Sequence, residues 1–267
     1  MTPRQRSSRP AFGTEARAAR AARAARTVRG CASAVADGPR VTCALIAVCC
    51  AVFLAGPVSG LAPGYGSGDA LAAAQGAYFA RWGVIPARLA DGTPGALTTP
   101  LTALFVHGNW LHLLGNMLFL YVFGAMTEER LGRLRFTLLY LGAGAMALAV
   151  YAIAHAGSEQ PLVGASGAIS AVLGAFLVLF PKARVTSLFP FLFFLPLRFP
   201  ARVVLVFWFA LQWLAATGLG RGSPAVAYLA HLAGFAIGFL YAWGGFRRRA
   251  GPRVKAPAAA TEGDSKP

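Results

Sequence analysis

Residues 164–181 read Gly-Ala-Ser-Gly-Ala-Ile-Ser-Ala-Val-Leu-Gly-Ala-Phe-Leu-Val-Leu-Phe-Pro, an apolar run that starts with a serine among small residues. A helix over residues 165–180 would be about 24 Å long at about 1.5 Å per residue. The hydrocarbon layer of a bilayer is about 30 Å thick, so this helix is too short to span it. We therefore predict that it begins inside the membrane, beneath non-helical backbone that lines a water-filled cavity.

The rest of the chain predicts a polytopic membrane protein around this helix. Of the 267 residues, 57% are hydrophobic and 13% are charged, whereas soluble domains carry about 25% charged residues. Apolar runs close to the roughly 20 residues of a transmembrane helix occur at 41–62, 110–126, 136–155, 166–180, 201–218 and 225–243. We expect an all-α membrane protein with six transmembrane helices, of which the fourth is short.

The basic residues that give the chain its formal charge of +16 are distributed according to this predicted arrangement of membrane helices. All Lys and Arg residues except Arg81, Arg88 and Arg221 lie before residue 41, in the loops after the second and fourth runs, or in the C-terminal tail. The positive-inside rule then places both termini in the cytoplasm of a multi-pass cell-membrane protein. Basicity confined to alternate loops favours the lipid bilayer, rather than nucleic acid, as the partner of this chain.

The chain divides into three predicted regions. Residues 1–40 form an Arg/Ala-rich cytoplasmic arm that we expect to be disordered, residues 41–245 form the membrane domain, and residues 246–267 form a basic, disordered tail. The Arg-rich, acid-poor start also fits an organellar transit peptide, and this alternative stays open.

Two connections have unusual compositions. The first, at 63–106, mixes apolar residues with Gly and Pro, and loops of that length are often functional or partly buried. The second, at 188–200, is as apolar as a membrane span, but Pro190, Pro196 and Pro200 exclude a continuous helix. We expect it to lie at the cytoplasmic interface.

Polar side chains within apolar runs are candidates for function, because they are costly in a membrane. Four are of interest: His112, Asn116, Ser166 and His231. Ser166 would stand at a helix N-terminus, where unpaired N–H groups suit an oxyanion. Gly164 and Gly167 beside it permit a tight turn and close approach of a substrate. A serine N-cap among small packing residues is the competing interpretation.

His231 lies in the middle of the sixth run, among residues whose spacing favours close helix packing. Small residues recur every four positions there, at Ala230, Gly234 and Gly238, and the fourth run offers a matching small face at Gly167, Ala171 and Gly174. If these faces pack together, Ser166 and His231 would lie about 2.6–3.2 Å apart, as a nucleophile and its base do. A histidine that only stabilises helix association is the alternative.

The second run opens with His107-Gly-Asn109-Trp-Leu-His112-Leu-Leu-Gly-Asn116. Asn109 is predicted to cap the helix, with His107 just outside it. His112 and Asn116 share one helix face, and their N–H groups are suitable donors to an oxyanion.

Metal and cofactor sites have little support in the sequence. There is no His-Glu-x-x-His motif, and the apolar runs carry no Asp or Glu except Glu128 at a cytoplasmic end. We therefore expect no metal and no cofactor. Since no carboxylate is available to orient His231, any hydrolytic chemistry is predicted to use a Ser-His dyad.

Three motifs resemble those of the rhomboid family of intramembrane serine proteases. They are His107-x4-His112-x3-Asn116, Gly164-Ala-Ser166-Gly167 and Ala230-His231-x2-Gly234-x3-Gly238, and the likeness covers roughly residues 41–243. The resemblance implies the six-helix bacterial form, which cuts peptide bonds in or near transmembrane segments of protein substrates. It implies that Ser166 is the nucleophile, His231 the general base, and His112 and Asn116 the oxyanion hole. His107, Gly164, Gly167 and Gly234 would shape the site.

Two further positions bear on this resemblance. Glu128-Glu-Arg130 matches the family's Glu-x-Arg pattern, which implies a structural role. Ser170 stands where members often carry an aromatic ring stacked on the base histidine. A rhomboid-like protein that binds membrane helices without cutting them is the alternative function, while a small-solute transporter is disfavoured by the lack of intramembrane carboxylates. The oligomeric state does not follow from the sequence.

Overall fold

The computed structural model describes residues 38–189, 195–216 and 226–246. The predicted arm at 1–40 and tail at 246–267 therefore lie almost entirely outside the described residues. In chain order the helices are α1 (Arg40–Ala55), α2 (Gly68–Trp82), α3 (Pro86–Ala90), α4 (Ala96–Phe105), α5 (Trp110–Leu131), α6 (Arg133–Ala154), α7 (Ser166–Leu179), α8 (Ala201–Ala216) and α9 (Val226–Phe246). Leu120–Gly124 in α5 and Leu139–Ala143 in α6 are π-helical, and α4 is a 3-10 helix at both ends.

The chain is predominantly helical and apolar, as predicted. Among the described helices, α5 and α6, with 22 residues each, are long and apolar enough to cross a membrane. α1 and α7 are shorter apolar helices within two of the predicted runs. The number of membrane-crossing helices therefore remains a prediction.

Two predicted boundaries are wrong. The first run was expected to reach residue 62, but α1 ends at Ala55 because Pro57 forces the preceding Gly56 into extended backbone, with φ −85° and ψ 169°. The second run was expected to end at residue 126, but α5 continues to Leu131 and stops at Gly132, which has φ +81°.

The described residues of the stretch 188–200, which are 188–189 and 195–200, belong to a β-ribbon, so the all-α prediction is wrong there, while Pro190 lies outside the described residues. Strands β1 (Arg184–Phe189) and β2 (Leu195–Pro200) pair antiparallel, with Arg184 opposite Pro200. Proline is excluded from a helix interior, but an edge strand tolerates it. Both strands of a two-stranded ribbon are edge strands.

The long connection between α1 and α5 packs against the segment that leads into α7. Val84 and Leu162 exchange two backbone hydrogen bonds, with N–H···O distances of 2.9 and 2.8 Å. Val84, Ala103 and Leu104 are fully buried. This connection therefore packs beside the backbone that leads from Leu162 to Ser166.

Glu128 joins the end of α5 to the start of α1. Its buried carboxylate accepts hydrogen bonds from the backbone N–H groups of Val41 and Thr42, at 2.9 and 2.7 Å, and from the Thr42 hydroxyl at 2.8 Å. A carboxylate in this position satisfies donors that the first turn of a helix leaves unpaired. The Glu-x-Arg pattern thus supplies the N-terminal cap of α1.

Candidate active site

Ser166 is the first residue of α7, a helix of 14 residues, or about 21 Å. The first hydrogen bond of this helix runs from the Ile169 N–H to the Ala165 carbonyl, at 2.9 Å. The N–H groups of Ser166, Gly167 and Ala168 precede that bond and have no partner within the helix. Backbone donors are therefore concentrated around the Ser166 hydroxyl.

Gly164 allows a side chain of α5 to approach this turn. Its φ of +128° is rare for residues with a Cβ atom, and its N–H donates to the Ala103 carbonyl at 2.9 Å. A Cβ atom added here would lie 2.7 and 2.8 Å from Cε1 and Nε2 of His112. Glycine thus lets the His112 ring lie directly against the backbone beside Ser166.

The structure brings Ser166 and His231 together. His231 Nε2 of α9 lies 2.7 Å from Ser166 Oγ of α7. The contact depends on the small residues of both helices, because a Cβ atom on Gly234 would overlap the Gly167 carbonyl oxygen and one on Gly238 would overlap the Ala171 carbonyl oxygen. The predicted small faces therefore pack directly on one another.

His112 and Asn116 point their donors toward the same region. The backbone N–H of His112 donates to Asn109 Oδ1 at 2.8 Å, so Asn109 caps α5. The Gly108 N–H donates to His112 Nδ1 at 3.3 Å, which places the ring proton on Nε2, the atom that faces Gly164. Asn116 Nδ2 is buried and has no hydrogen-bond partner among the described residues. Both side chains therefore have N–H groups available to a ligand.

These groups open onto a cavity of about 290 Å³ between α5, α7, α8 and α9. Ser166, His231, His112 and Asn116 line it, and no Asp or Glu in the described part of the chain does. The rest of the wall is apolar or backbone: Leu111, Gly115, Phe119, Val163, Ile169, Leu173 and Trp208. The cavity thus combines a serine hydroxyl, an imidazole ring and two N–H donors with a surface that suits apolar side chains.

His107 lies behind this cavity and does not line it. Its ring is buried and meets the His112 ring edge-on, with centroids 5.3 Å apart. It therefore supports the His112 ring. Among the described residues, no group of three His, Cys, Asp or Glu side chains could hold a metal ion.

Aromatic rings approach His231 from positions that the sequence reasoning did not identify. Ser170 is fully buried and donates its hydroxyl to the Ser166 carbonyl oxygen at 2.6 Å. The ring centroids of Trp208 and Tyr228 lie 6.0 and 6.2 Å from that of His231. The sequence around Trp208 in the fifth run is apolar, so no feature of it distinguishes Trp208 from a residue that faces lipid.

Comparisons with known proteins match the region that holds these residues. A sequence model of the Rhomboid domain matches residues 94–248. Rhomboid protein 1, mitochondrial, of Saccharomyces cerevisiae is 36% identical over 143 residues, which are 52% of this chain and 39% of the yeast protein. RHOMBOID-like protein 4 of Arabidopsis thaliana is 32% identical over 58% of this chain and 38% of its own length.

A bacterial relative is also similar. The putative rhomboid protease YdcA of Bacillus subtilis is 36% identical over 82 residues, which are 29% of this chain and 38% of the relative. The chain therefore spans less than half the length of each of these three curated relatives. The matched Rhomboid domain includes α5 to α9, which supply Ser166, His231, His112 and Asn116.

Proposed function

The chain belongs to the rhomboid family, and we propose that it is an intramembrane serine endopeptidase that hydrolyses peptide bonds in or near transmembrane segments of other membrane proteins. Members of this family are generally serine proteases of the membrane, although some are inactive. The observation that carries the proposal is the 2.7 Å contact between Ser166 Oγ and His231 Nε2 on the wall of a cavity.

In the first step, the Ser166 hydroxyl attacks the carbonyl carbon of the scissile peptide bond. His231 Nε2 accepts the hydroxyl proton, which requires the neutral imidazole to carry its own proton on Nδ1. Proton transfer to a positioned base typically raises the rate of such a reaction by about 10²–10⁴-fold. Among the described residues no carboxylate lines the cavity, and α9 packs directly on α7 beside the His231 ring.

The negative charge that develops on the substrate oxygen is stabilised by N–H donors from two helices. α7 offers the Ser166 N–H at its positive end, and α5 offers His112 Nε2 and Asn116 Nδ2. Because these donors are held in place before the substrate binds, little reorganisation accompanies the development of charge.

The intermediate then collapses to an acyl-enzyme and an amine. His231 gives its proton to the leaving nitrogen, and a water molecule, deprotonated by the same ring, hydrolyses the ester to release the acid and regenerate Ser166. The apolar walls of the cavity suit substrates with hydrophobic side chains near the scissile bond.

The membrane arrangement is part of the proposal. The six apolar runs that contain α1, α5, α6, α7, α8 and α9 form the six spans in the cell membrane, α7 begins inside it, and both termini lie in the cytoplasm. Reporter fusions at the two termini would test this topology. A reporter at either terminus that is active only on the outer side would contradict it.

The test of function uses the full chain reconstituted in liposomes with a model transmembrane substrate. Labelling by a fluorophosphonate and cleavage of the substrate are both expected, and Ser166→Ala and His231→Ala should each abolish cleavage. Ser170→Ala is the matched control, because it removes a buried serine hydroxyl one turn along α7 that does not line the cavity.

The outcomes separate proteolysis from its alternative. If Ser166→Ala cuts as fast as the parent chain, the proposed nucleophile is wrong. If the parent chain neither reacts with the probe nor cuts the substrate, but still binds it, the chain is a rhomboid-like protein that binds membrane helices without hydrolysing them.

A further inference from the structure

Arg81 and Arg88 are exceptions to the charge pattern of the chain, and the active site does not use them. Both lie in the connection between α1 and α5, which the sequence predicts to be external. Both line a cavity of about 350 Å³ at the end of α2, beside α3 and the start of α4. Its other polar side chains include the hydroxyls of Thr93, Thr98 and Thr99, and no Asp or Glu from the ranges that the structure describes lines it.

Local contacts hold the two guanidinium groups at this cavity. Arg88 Nη1 donates to the Ala80 carbonyl at 3.2 Å. The guanidinium carbon of Arg81 lies 4.9 Å from the centroid of the Trp82 ring, within the range of a cation–π interaction. Guanidinium groups match the geometry of phosphate oxygens and bind them through paired N–H groups. The cavity therefore suits an anion of the phosphate type.

An apolar cavity of about 440 Å³ adjoins the first one at Trp82, which lines both. Its walls come from α1, α2 and the end of α4, and they include Val48, Val52, Ala55, Tyr78 and Phe105. Each cavity is within the range of about 300–1,000 Å³ that is usual for ligand sites. A ligand that fills both must carry a charged phosphate at one end and a hydrocarbon chain at the other.

We propose that Arg81, Arg88 and Trp82 form a binding site for an anionic phospholipid. The phosphodiester binds at the two guanidinium groups, and one acyl chain passes the Trp82 ring into the apolar cavity against α1. A free phosphate shares only the first half of this chemistry. The bound lipid would contact both α1 and the connection between α1 and α5.

The experiment measures lipid binding by the Ser166→Ala chain in mild detergent, so its outcome does not depend on the proposed protease activity. Native mass spectrometry would follow titration with phosphatidylglycerol and, separately, with phosphatidylcholine of the same acyl chains. Phosphatidylglycerol should bind more tightly. Since a cationic side chain near a membrane surface contributes about 1 kcal/mol, Arg81→Gln and Arg88→Gln should each weaken its binding about fivefold.

Control variants distinguish specific binding in the two cavities from general electrostatic attraction between a basic protein and an anionic lipid. Arg133→Gln removes one exposed charge outside the cavity and should leave the affinity unchanged; equal losses in all three variants would overturn the site. Ala55→Phe fills the apolar cavity and should weaken binding, whereas Leu54→Phe, on an exposed residue outside the cavity, should not.

Inorganic phosphate distinguishes the lipid from a soluble anion. If phosphate at millimolar concentration displaces phosphatidylglycerol completely and Ala55→Phe has no effect, the site takes a free anion and the lipid assignment fails. Weak competition by phosphate, together with loss of binding in Ala55→Phe, supports it.

Discussion

Replacing Asn116 with alanine should separate catalysis from stability. Asn116 lines the cavity, and its Nδ2 is buried and has no hydrogen-bond partner among the described residues. A buried donor without a partner costs the folded state about 1–3 kcal/mol. Removing the Asn116 amide regains part of that energy, which offsets the packing energy lost with the rest of the side chain. We therefore expect the free energy of unfolding to change by less than about 1 kcal/mol.

The expected effect on the reaction is much larger. Loss of one donor to an oxyanion typically lowers kcat by about 10²–10³-fold, or about 2.7–4 kcal/mol of transition-state stabilisation. KM should change little, because the donor acts mainly when charge develops on the substrate oxygen.

Asn109, on the same helix, provides the matched control. Its Oδ1 accepts the His112 N–H at 2.8 Å, so its contribution is to structure. Asn109→Ala should lower the free energy of unfolding by about 0.5–2 kcal/mol, as loss of an N-cap does, with a smaller effect on kcat. Cleavage kinetics in liposomes and thermal unfolding in detergent would be measured for both variants.

The opposite pattern would contradict a role for Asn116 in stabilising the oxyanion. If Asn116→Ala unfolds at a much lower temperature while the remaining folded protein cuts at the parental rate, the amide stabilises the helix bundle and is not a donor to the oxyanion.

Three other changes test the scaffold around the site. Gly238→Ala places a methyl group on the Ala171 carbonyl, so it should lower the free energy of unfolding by about 1–3 kcal/mol and should also reduce labelling by a fluorophosphonate. Gly245→Ala, which has open space around it, should change neither quantity. Glu128→Ala leaves the donors at the start of α1 without their acceptor and should cost on the order of 3 kcal/mol in thermal or chemical unfolding; an unchanged midpoint would contradict the cap. Trp208→Leu removes a ring 6.0 Å from His231 and should lower kcat about tenfold, and an unaltered kcat would show that this ring does not position the base.

The pairing of Ser166 with His231 was predictable because it depends on local periodicity. Small residues three or four positions apart mark the faces of two helices that approach closely, and Ser166 and His231 each stand beside such residues. The cap at Asn109 was predictable for the same reason, since residue type and spacing determine it.

Features that depend on distant contacts were not predictable. The carboxylate of Glu128 caps a helix through Thr42, which lies 86 residues earlier in the chain, and no local pattern relates the two. The His112 tautomer depends on the Gly108 N–H, and its ring position depends on the φ of Gly164. The β-ribbon was missed because an apolar, proline-containing stretch is compatible with several interfacial conformations.

The separation of Ser166 and His231 along the chain has a consequence for biosynthesis. The two residues are 65 positions apart, and α9 supplies both the base and the surface that packs on α7. At about 5–20 residues per second, a ribosome makes the nucleophile roughly 3–13 seconds before its base. If the chain is the proposed protease, a half-made or incompletely inserted chain would hold Ser166 without its base, and cleavage would start only after α9 has packed on α7.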